Sequence, residues 1–511
     1  MGLNNTISVI LPGVVFALAA GLVFVVDLFV RRKGALSWIA VAGLVAGAAV
    51  AVGQWGQWTG GWAVWKVVSG GLGFGRREVV VGFAGMVGYD RYALFCVVLF
   101  AAIGVLTIML SDAYLAKRKA ARGEFYGLLL LVITGMTGMV MSTDIIPFFV
   151  SFELMSLPTY ILAGYLWREQ RATEAALKYF VTGAFSSAIL AFGLALLYAA
   201  TGQTSYSGIA AGLTKLGGLE SGGFLVVAFV LVVTGFGFKI SAVPFHSWAP
   251  DVYEGAPTPV TAFMSVGVKA AAFAGFAKLF LVAAGVDWEH WGHVMIVLAV
   301  LTMVVGNVLA LPQRNLKRML AYSSIAHAGY LTLGVIAAGK SGDPLGVSAI
   351  LFYLSAYALM NLGAFGVLIW IRSRRAFAYT LDEMGGLGRS LPWPAILMAL
   401  FMISLTGIPP TAGFWGKFYL FTAVVQADLT WLAIVAVLMS SVSAYYYLRV
   451  VWYMYFREAP EEAEIVAEPR TSQVGVAAAV TVAALGVLLV GLFPDPLLRA
   501  AEGALRLLAG G

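Results

Sequence analysis

The chain has 511 residues, of which 61% are hydrophobic and 11% are charged, and its formal net charge at pH 7 is +7. Ordinary soluble domains carry roughly 25% charged residues, so a water-soluble globular protein of this size is excluded. The single cysteine, Cys96, also excludes an intrachain disulfide scaffold. We expect an all-α integral membrane protein whose basic residues gather in the inner loops, so the positive charge does not indicate nucleic-acid binding.

Hydrophobic segments long enough to cross a bilayer, about 20 residues each, recur along the whole chain. Fourteen segments are predicted to span the membrane, at residues 7–30, 36–54, 92–111, 125–142, 145–166, 174–200, 224–244, 258–284, 292–311, 320–338, 346–371, 393–425, 429–456 and 473–493. The first is too long for a signal-peptide core and has no cleavage-site pattern. The twelfth contains Pro409-Pro410, which predicts a bent or broken helix.

These spans divide the chain into four parts. Residues 1–124 hold three spans and an outer loop, residues 125–284 and 292–456 hold five spans each, and residues 473–511 hold the last span and a short tail, expected at the membrane interface. Basic residues are concentrated in the loops that lie inside when the N-terminus is outside. This distribution predicts that both termini face the outer side.

The outer loop at residues 55–91 is rich in tryptophan and glycine. It contains Trp55, Trp58, Trp62 and Trp65. Tryptophan at this density beside a membrane predicts anchoring at the interface. A docking surface for another subunit is the alternative interpretation.

Five ionisable residues lie deep inside predicted spans: Lys178, Lys239, Lys269, Lys417 and Glu153. A charge at the bilayer centre costs at least roughly 2.5 kcal/mol, so each is a functional candidate. One Lys–Glu pair could simply stabilise the structure, but a series of lysines indicates a proton relay. Burial disfavours the charged form of a lysine and a nearby carboxylate favours it, so such groups can gain and lose protons as neighbouring charges move.

Other charges in the spans have simpler interpretations. Lys278 lies near the outer end of the eighth span, where its ammonium can extend toward the interface, and it is expected to be structural. Arg449 is expected to be structural. Asp27 and Glu124 lie near inner ends and are expected to be interfacial, although Glu124 could also be an acidic partner at the entrance to a polar core.

Prolines predict breaks in two helices. Pro244 clashes with the carbonyl of Ile240, so the seventh span should open beside Lys239. Pro409 and Pro410 should free the carbonyls near Leu405 and Thr406 in the twelfth span, which also carries Lys417. Opened helices at membrane depth survive only inside protein or beside a hydrated cavity.

Paired breaks in corresponding spans indicate a transport site between internal repeats. The two breaks are five spans apart, which predicts two inverted five-helix units, spans 4–8 and 9–13. His327 lies in the tenth span of the chain, at the position that corresponds to Glu153 in the fifth span of the chain.

Two motif matches are set aside. Residues 334–341 match the P-loop pattern, but they end an apolar span instead of following a strand. His290 and His293 lie in a tryptophan-rich loop without a cysteine cluster, so no metal site is predicted. No haem or iron–sulfur ligand spacing is present.

Several segments carry a specific family resemblance. These are GFKISAVPFHSWAPDVYEGAPTPVTAFMSVGVK at 237–269, SFELMSLP at 151–158, LKY at 177–179, AYSSIAHAGY at 321–330 and GIPPTAGFWGK at 407–417. The chain resembles the antiporter-like membrane subunits of respiratory complex I, and among them the N-type subunit of NADH–quinone oxidoreductase. Two features separate it from the L- and M-type subunits. These are the sequence SVGVK at 265–269 and the expected absence of an L-type lateral helix.

The resemblance implies a set of proton-relay residues. Glu153 on the fifth span and the lysines on the seventh, eighth and twelfth, Lys239, Lys269 and Lys417, match the family's functional positions. Lys178 matches a further lysine on the sixth span, and His327 a histidine between the half-channels. We expect Glu153 to lie within ion-pair distance of Lys239, or one water away.

The resemblance also implies the cofactors and partners. NAD, FMN, iron–sulfur clusters and quinone are expected in partner subunits and not in this chain. The expected neighbours are an M-type antiporter-like subunit, small K- and J-type subunits and the lipid of a bacterial plasma membrane. A subunit of a multi-subunit cation/proton antiporter is the first alternative and a standalone solute transporter the second, and the electron donor and the quinone stay open.

Overall fold

The computed structural model describes residues 7–30, 33–56, 80–218, 223–285, 288–374, 379–459 and 473–504. Most of the tryptophan-rich loop lies outside these residues, including Trp58, Trp62 and Trp65, so its expected anchoring role stays a prediction. Trp55 lies in the last turn of a helix.

Nearly all of the described chain is helical. The first half contains α1 Leu11–Phe29, α2 Gly34–Gly56, α3 Arg91–Lys117, α4 Gly123–Met141, α5 Ile145–Ala163, α6 Gln170–Thr201, α7 Tyr206–Leu216, α8 Gly223–Ile240, α9 Trp248–Gly255 and α10 Thr258–Ala283, in which Met264–Val268 form a π turn. A short hairpin pairs β1 Val80–Gly82 with β2 Val87–Tyr89 in antiparallel register.

The second half continues the bundle. It contains α11 Trp288–Ala310, α12 Leu316–Ser341, α13 Leu345–Arg374, α14 Leu387–Ser390, α15 Pro392–Thr406, α16 Ala412–Gln426, α17 Thr430–Phe456, α18 Val474–Leu492 and α19 Asp495–Gly503. Among the described residues, thirteen helices are long and apolar enough to cross a membrane. This confirms the predicted all-α membrane architecture.

The breaks in the seventh and twelfth spans are confirmed. Helix α8 ends at Ile240, and the chain becomes helical again only at Trp248. The twelfth span consists of the two 15-residue helices α15 and α16, separated by residues 407–411. The predicted helix at 224–244 was therefore four residues too long, and α9, α7 and the hairpin were not predicted.

The centre of the bundle is formed by α10, α12 and α13, which are almost entirely buried. Small residues let their neighbours approach closely, as where Gly306 of α11 faces the backbone of Ala326 in α12. By contrast, α1, α6 and α17 expose large apolar side chains, among them Leu22, Phe185 and Leu438. These outer faces suit contact with lipid or with other subunits.

Lys278 is buried and makes a structural contact, as expected, but inside the protein and not at its surface. Its ammonium lies 3.2 Å from the carboxylate of Asp90 and donates to the carbonyl of Val140 at 2.9 Å. Asp90 also caps α3 by accepting from the backbone N–H of Ala93 at 2.7 Å. The sequence did not reveal the partner in this contact, because Asp90 is far away in the chain.

We expect Asp90→Asn to destabilise the subunit by about 3–5 kcal/mol, because it leaves the buried Lys278 ammonium without its anionic partner. Asparagine can still cap α3, so the loss isolates the ion pair. The measurement is the yield of assembled complex and its thermal unfolding.

Asp343→Asn is the matched control, since Asp343 also caps a helix, accepting from the N–H of Leu345, but is exposed. The double variant Asp90→Asn/Lys278→Met should regain much of the lost stability. An Asp90→Asn protein as stable as wild type would contradict the structural role of the pair.

Candidate functional site

Lys239 lies at the end of α8 in a pocket of aromatic rings. Its side chain is 2% exposed, and its ammonium donates to the hydroxyl of Ser156 at 2.7 Å. The ring centroids of Phe152, Tyr160 and Tyr179 lie 4.9, 5.2 and 5.7 Å from that nitrogen. Such rings stabilise a cation by cation–π attraction but do not neutralise it.

Glu153 lies beside this pocket without a direct ion pair to Lys239. Its carboxylate charge acts on the Lys239 ammonium, yet the two groups are more than 4.0 Å apart. One carboxylate oxygen of Glu153, Oε1, is buried and accepts no hydrogen bond. The ammonium of Lys239 contacts Ser156, one turn along α5, and makes no direct ion pair with Glu153; the alternative that we expected, a contact through one water, stays a prediction.

Lys269 follows the π turn of α10 and lies in the centre of the bundle. Its ammonium donates to both the carbonyl and the hydroxyl of Ser324 in α12, each at 2.6 Å. Within the same π turn, the hydroxyl of Ser265 accepts from Asn361, which also donates to the hydroxyl of Tyr357 at 3.2 Å. Lys269 is thus held by neutral polar groups of a single residue, Ser324, on the neighbouring helix α12.

His327 lies one turn beyond Ser324 on α12. Its Nδ1 is hydrogen-bonded to the hydroxyl of Tyr353, and its Nε2 to that of Tyr447 at 3.0 Å. Tyr447 also shares a hydrogen bond with Ser323. The imidazole, 1% exposed, is therefore held between two phenols in the interior.

Lys417 binds the carbonyls that the break in the twelfth span sets free. Its ammonium donates to the carbonyls of Leu405 and Thr406 at 3.0 and 2.8 Å and to the hydroxyl of Ser440 at 2.8 Å. These are the carbonyls that the proline pair was predicted to free. Gly407 adopts φ +92°, and a Cβ there would lie 3.0 Å from the Lys417 side chain. Glycine both permits the turn and leaves room for the lysine.

The four buried groups share one kind of environment. Lys239, Lys269, His327 and Lys417 are hydrogen-bonded to hydroxyls or open carbonyls, and none of them has a carboxylate within 4.0 Å among the residues described. Neutral acceptors do not fix a charge on these nitrogens as a carboxylate partner would. Their protonation can therefore respond to charges elsewhere in the protein.

Lys178 does not belong to this buried set. Its side chain is 44% exposed and pairs with Glu174 at 2.8 Å and with Asp251 at 3.0 Å. Helix α6 carries Lys178 on a partly exposed face within reach of Glu174 and Asp251, and its expected depth in the membrane stays a prediction.

Sequence reasoning missed three polar groups. Lys317 is 3% exposed and donates to the carbonyls of Glu254 and Ala256. The carboxylate of Asp112, near the end of α3, accepts a hydrogen bond from the hydroxyl of Tyr126 in α4. Both residues lie just outside the predicted apolar spans, where charged residues are common and do not indicate burial. Asp90, described above, was missed for the same reason. In the described part of the chain no group of three or more His, Cys, Asp or Glu residues could hold a metal.

Residues 142–443 match the family described as NADH:quinone oxidoreductase/Mrp antiporter, TM. NADH-quinone oxidoreductase subunit N of Trichlorobacter lovleyi is 42% identical over 506 residues, covering 98% of this chain and 97% of the relative. The chain belongs to the NADH-quinone oxidoreductase subunit N family. The relative from Myxococcus xanthus, 41% identical with 97% and 96% coverage, has the same description.

Two solved structures are similar to this chain over nearly its whole length. A chain of respiratory complex I from Thermus thermophilus with bound aureothin has a TM-score of 0.74 and 31% identity, with 96% of this chain and 98% of that chain covered. A chain of the Mrp complex from Dietzia sp. has a TM-score of 0.81 at 23% identity, with 100% and 98% coverage. The second likeness shows a shared fold only.

Proposed function

We propose that this chain translocates protons in the membrane arm of a redox-driven NADH–quinone oxidoreductase. The observation that carries the proposal is the set of buried, neutrally hydrogen-bonded basic groups, Lys239, Lys269, His327 and Lys417, located beside two broken helices. Membership in the subunit N family supports the redox coupling. NAD, FMN, iron–sulfur clusters and quinone belong, in this proposal, to partner subunits.

Protons move in this mechanism from Lys239 through Lys269 and His327 to Lys417. A change of charge near Glu153, driven by quinone chemistry elsewhere in the complex, alters the field at Lys239. Ser324 and His327 lie on one helix, α12, and link Lys269 to the second break. Because the acceptors are hydroxyls and carbonyls, each site can hold a proton briefly without trapping it.

The energy required is modest. Moving one charge against 100 mV costs roughly 2.3 kcal/mol. A shift of one pKa unit corresponds to about 1.4 kcal/mol. A change of fewer than two pKa units at one relay group therefore suffices, which electrostatic coupling over several ångströms can supply.

We place the subunit in a bacterial plasma membrane with both termini outside, beside M-type, K-type and J-type subunits. The alternative, a subunit of a cation/proton antiporter, shares the fold of the Mrp complex. Identity of 42% to a subunit N relative against 23% to the Mrp chain favours the oxidoreductase.

Affinity purification of the tagged chain from its native membranes tests the assignment. We expect it to bring down an assembly that oxidises NADH or another soluble donor and reduces quinone. The control is the same purification from cells in which the untagged chain is expressed. Recovery of an assembly that exchanges sodium for protons without any redox activity would refute the proposal in favour of the antiporter.

A further inference from the structure

Helix α9, which follows the break after α8, is held by cations from two other helices. The carboxylate of Asp251 lies 3.0 Å from Lys178 of α6 and 2.7 Å from Arg318 of α12. Arg318 also pairs with Glu254 at 3.2 Å. Lys317 donates to the carbonyls of Glu254 and Ala256 at 2.8 and 2.7 Å, which places a positive charge at the negative end of α9.

The same helix covers the pocket of Lys239. Trp248, the first residue of α9, stacks on Tyr179 with ring centroids 4.6 Å apart and on Phe238 at 5.1 Å. Its indole N–H donates to the carbonyl of Phe238 at 3.0 Å. Tyr179 is one of the rings around the Lys239 ammonium. Trp248 and Asp251, three residues apart, therefore connect the pocket to the ion pairs.

We propose that Asp251 is a positioning residue whose ion pairs with Lys178 and Arg318 hold α9 against α6 and α12 and so control access of water and protons to Lys239. This inference rests on the proposed function for its role in pumping, whereas the docking of α9 stands independently. It gives Lys178, which lies outside the buried set, a function at the edge of the relay.

The character of the ion pairs suits a contact that opens. The side chains of Asp251, Lys178 and Arg318 are 36%, 44% and 32% exposed. Pairs exposed to this degree contribute little stability each and are screened by salt. The backbone of α9 is nevertheless close to α6, since a Cβ on Gly255 would lie 2.5 Å from the carbonyl of Arg171. Any opening at α9 would therefore have to separate two closely packed backbones, which a probe of side-chain access can detect.

A cysteine at Val252 reports the docking of α9 directly. Val252 of α9 is 0% exposed, and the native Cys96 is buried, so we expect little labelling of this chain at Cys96. The probe is a charged, water-soluble maleimide added to membrane vesicles that contain the whole complex, with the predicted inner face outward. We expect Asp251→Asn to raise the labelling rate of Val252→Cys about tenfold, equivalent to about 1.4 kcal/mol.

Three variants make the test specific. Asp251→Glu should restore slow labelling, and Lys178→Gln should raise it less than Asp251→Asn because Arg318 stays paired. Asp382→Asn is the matched control, since it removes an exposed ion pair, with Arg314, that includes no residue of α9. Raising the salt from about 0.1 M to about 1 M should also speed labelling of the protein with native Asp251.

An unchanged labelling rate in Asp251→Asn would overturn the proposal that the ion pairs of Asp251 hold α9 in place, even if Lys239 proves essential for pumping. Faster labelling with normal proton pumping would overturn the link between α9 and Lys239. Faster labelling with reduced pumping, in a complex that still reduces quinone, supports the inference. Labelling needs no turnover, so the two proposals can fail separately. Normal pumping by Lys239→Ala would contradict the proposed function, whereas an unchanged labelling rate would contradict the role of the Asp251 ion pairs.

Discussion

Lys239→Ala is expected to reduce redox-linked proton pumping by at least about 50-fold while the complex still assembles and reduces quinone. The substitution removes the titratable group between the aromatic pocket and the break after Ile240. A proton passing this point unbound would face the cost of a charge in the membrane, at least roughly 2.5 kcal/mol. At about 1.4 kcal/mol per tenfold change in rate, this cost gives the stated loss.

The measurement is proton uptake per electron in vesicles that contain the purified complex. Lys239→Arg should also impair pumping, because a guanidinium does not release its proton in this pH range. Lys340→Ala is the matched control, since Lys340 is an exposed lysine at the end of α12. A normal proton-to-electron ratio in Lys239→Ala would refute the relay assignment.

The breaks in the helices could be predicted because their cause is local. Pro244 and Pro409-Pro410 remove donors and clash with the preceding turn whatever surrounds them. The bonds from Lys417 to the carbonyls of Leu405 and Thr406 follow from that chemistry. Helix α9 could not be predicted, because it has only eight residues and mixes Asp251 and Glu254 with apolar residues. Its stability depends on cations from α6 and α12.

Burial of charge was predictable only where the surrounding sequence is long and apolar. Lys239, Lys269 and Lys417 lie inside such runs, and all three are buried as expected. The sequence did not show that Lys178 is partly exposed and Lys278 buried, because each pairs with a carboxylate distant in the chain, Asp251 and Asp90 respectively. Pairing across helices is set by packing, which hydrophobicity along one segment does not record. The inverted repeat also stays a prediction drawn from the spacing of the breaks.

Glu153→Gln is expected to lower proton pumping by roughly tenfold without touching any lysine. Its carboxylate acts on Lys239 from more than 4.0 Å. Two unit charges at 4 Å interact by about 4 kcal/mol at an effective dielectric constant of 20 and by about 1 kcal/mol in bulk water. The separation here is longer, and the tenfold loss corresponds to about 1.4 kcal/mol of attraction. Losing this attraction makes it harder to load a proton onto Lys239. The effect should be smaller than that of Lys239→Ala because the lysine itself and its bond to Ser156 remain.

The Ser156 variants separate charge from hydrogen bonding. Ser156→Ala removes the acceptor of Lys239 but keeps the carboxylate, so we expect it to impair pumping less than Glu153→Gln. Glu153→Asp retains the charge and should keep much of the activity if the shorter side chain reaches the same region. Proton uptake per electron is again the measurement, with quinone reduction as the check on assembly. If Glu153→Gln pumped like wild type while Ser156→Ala did not, the role given to the Glu153 carboxylate would be wrong. The Ser156 hydroxyl would then be the group that governs proton loading of Lys239.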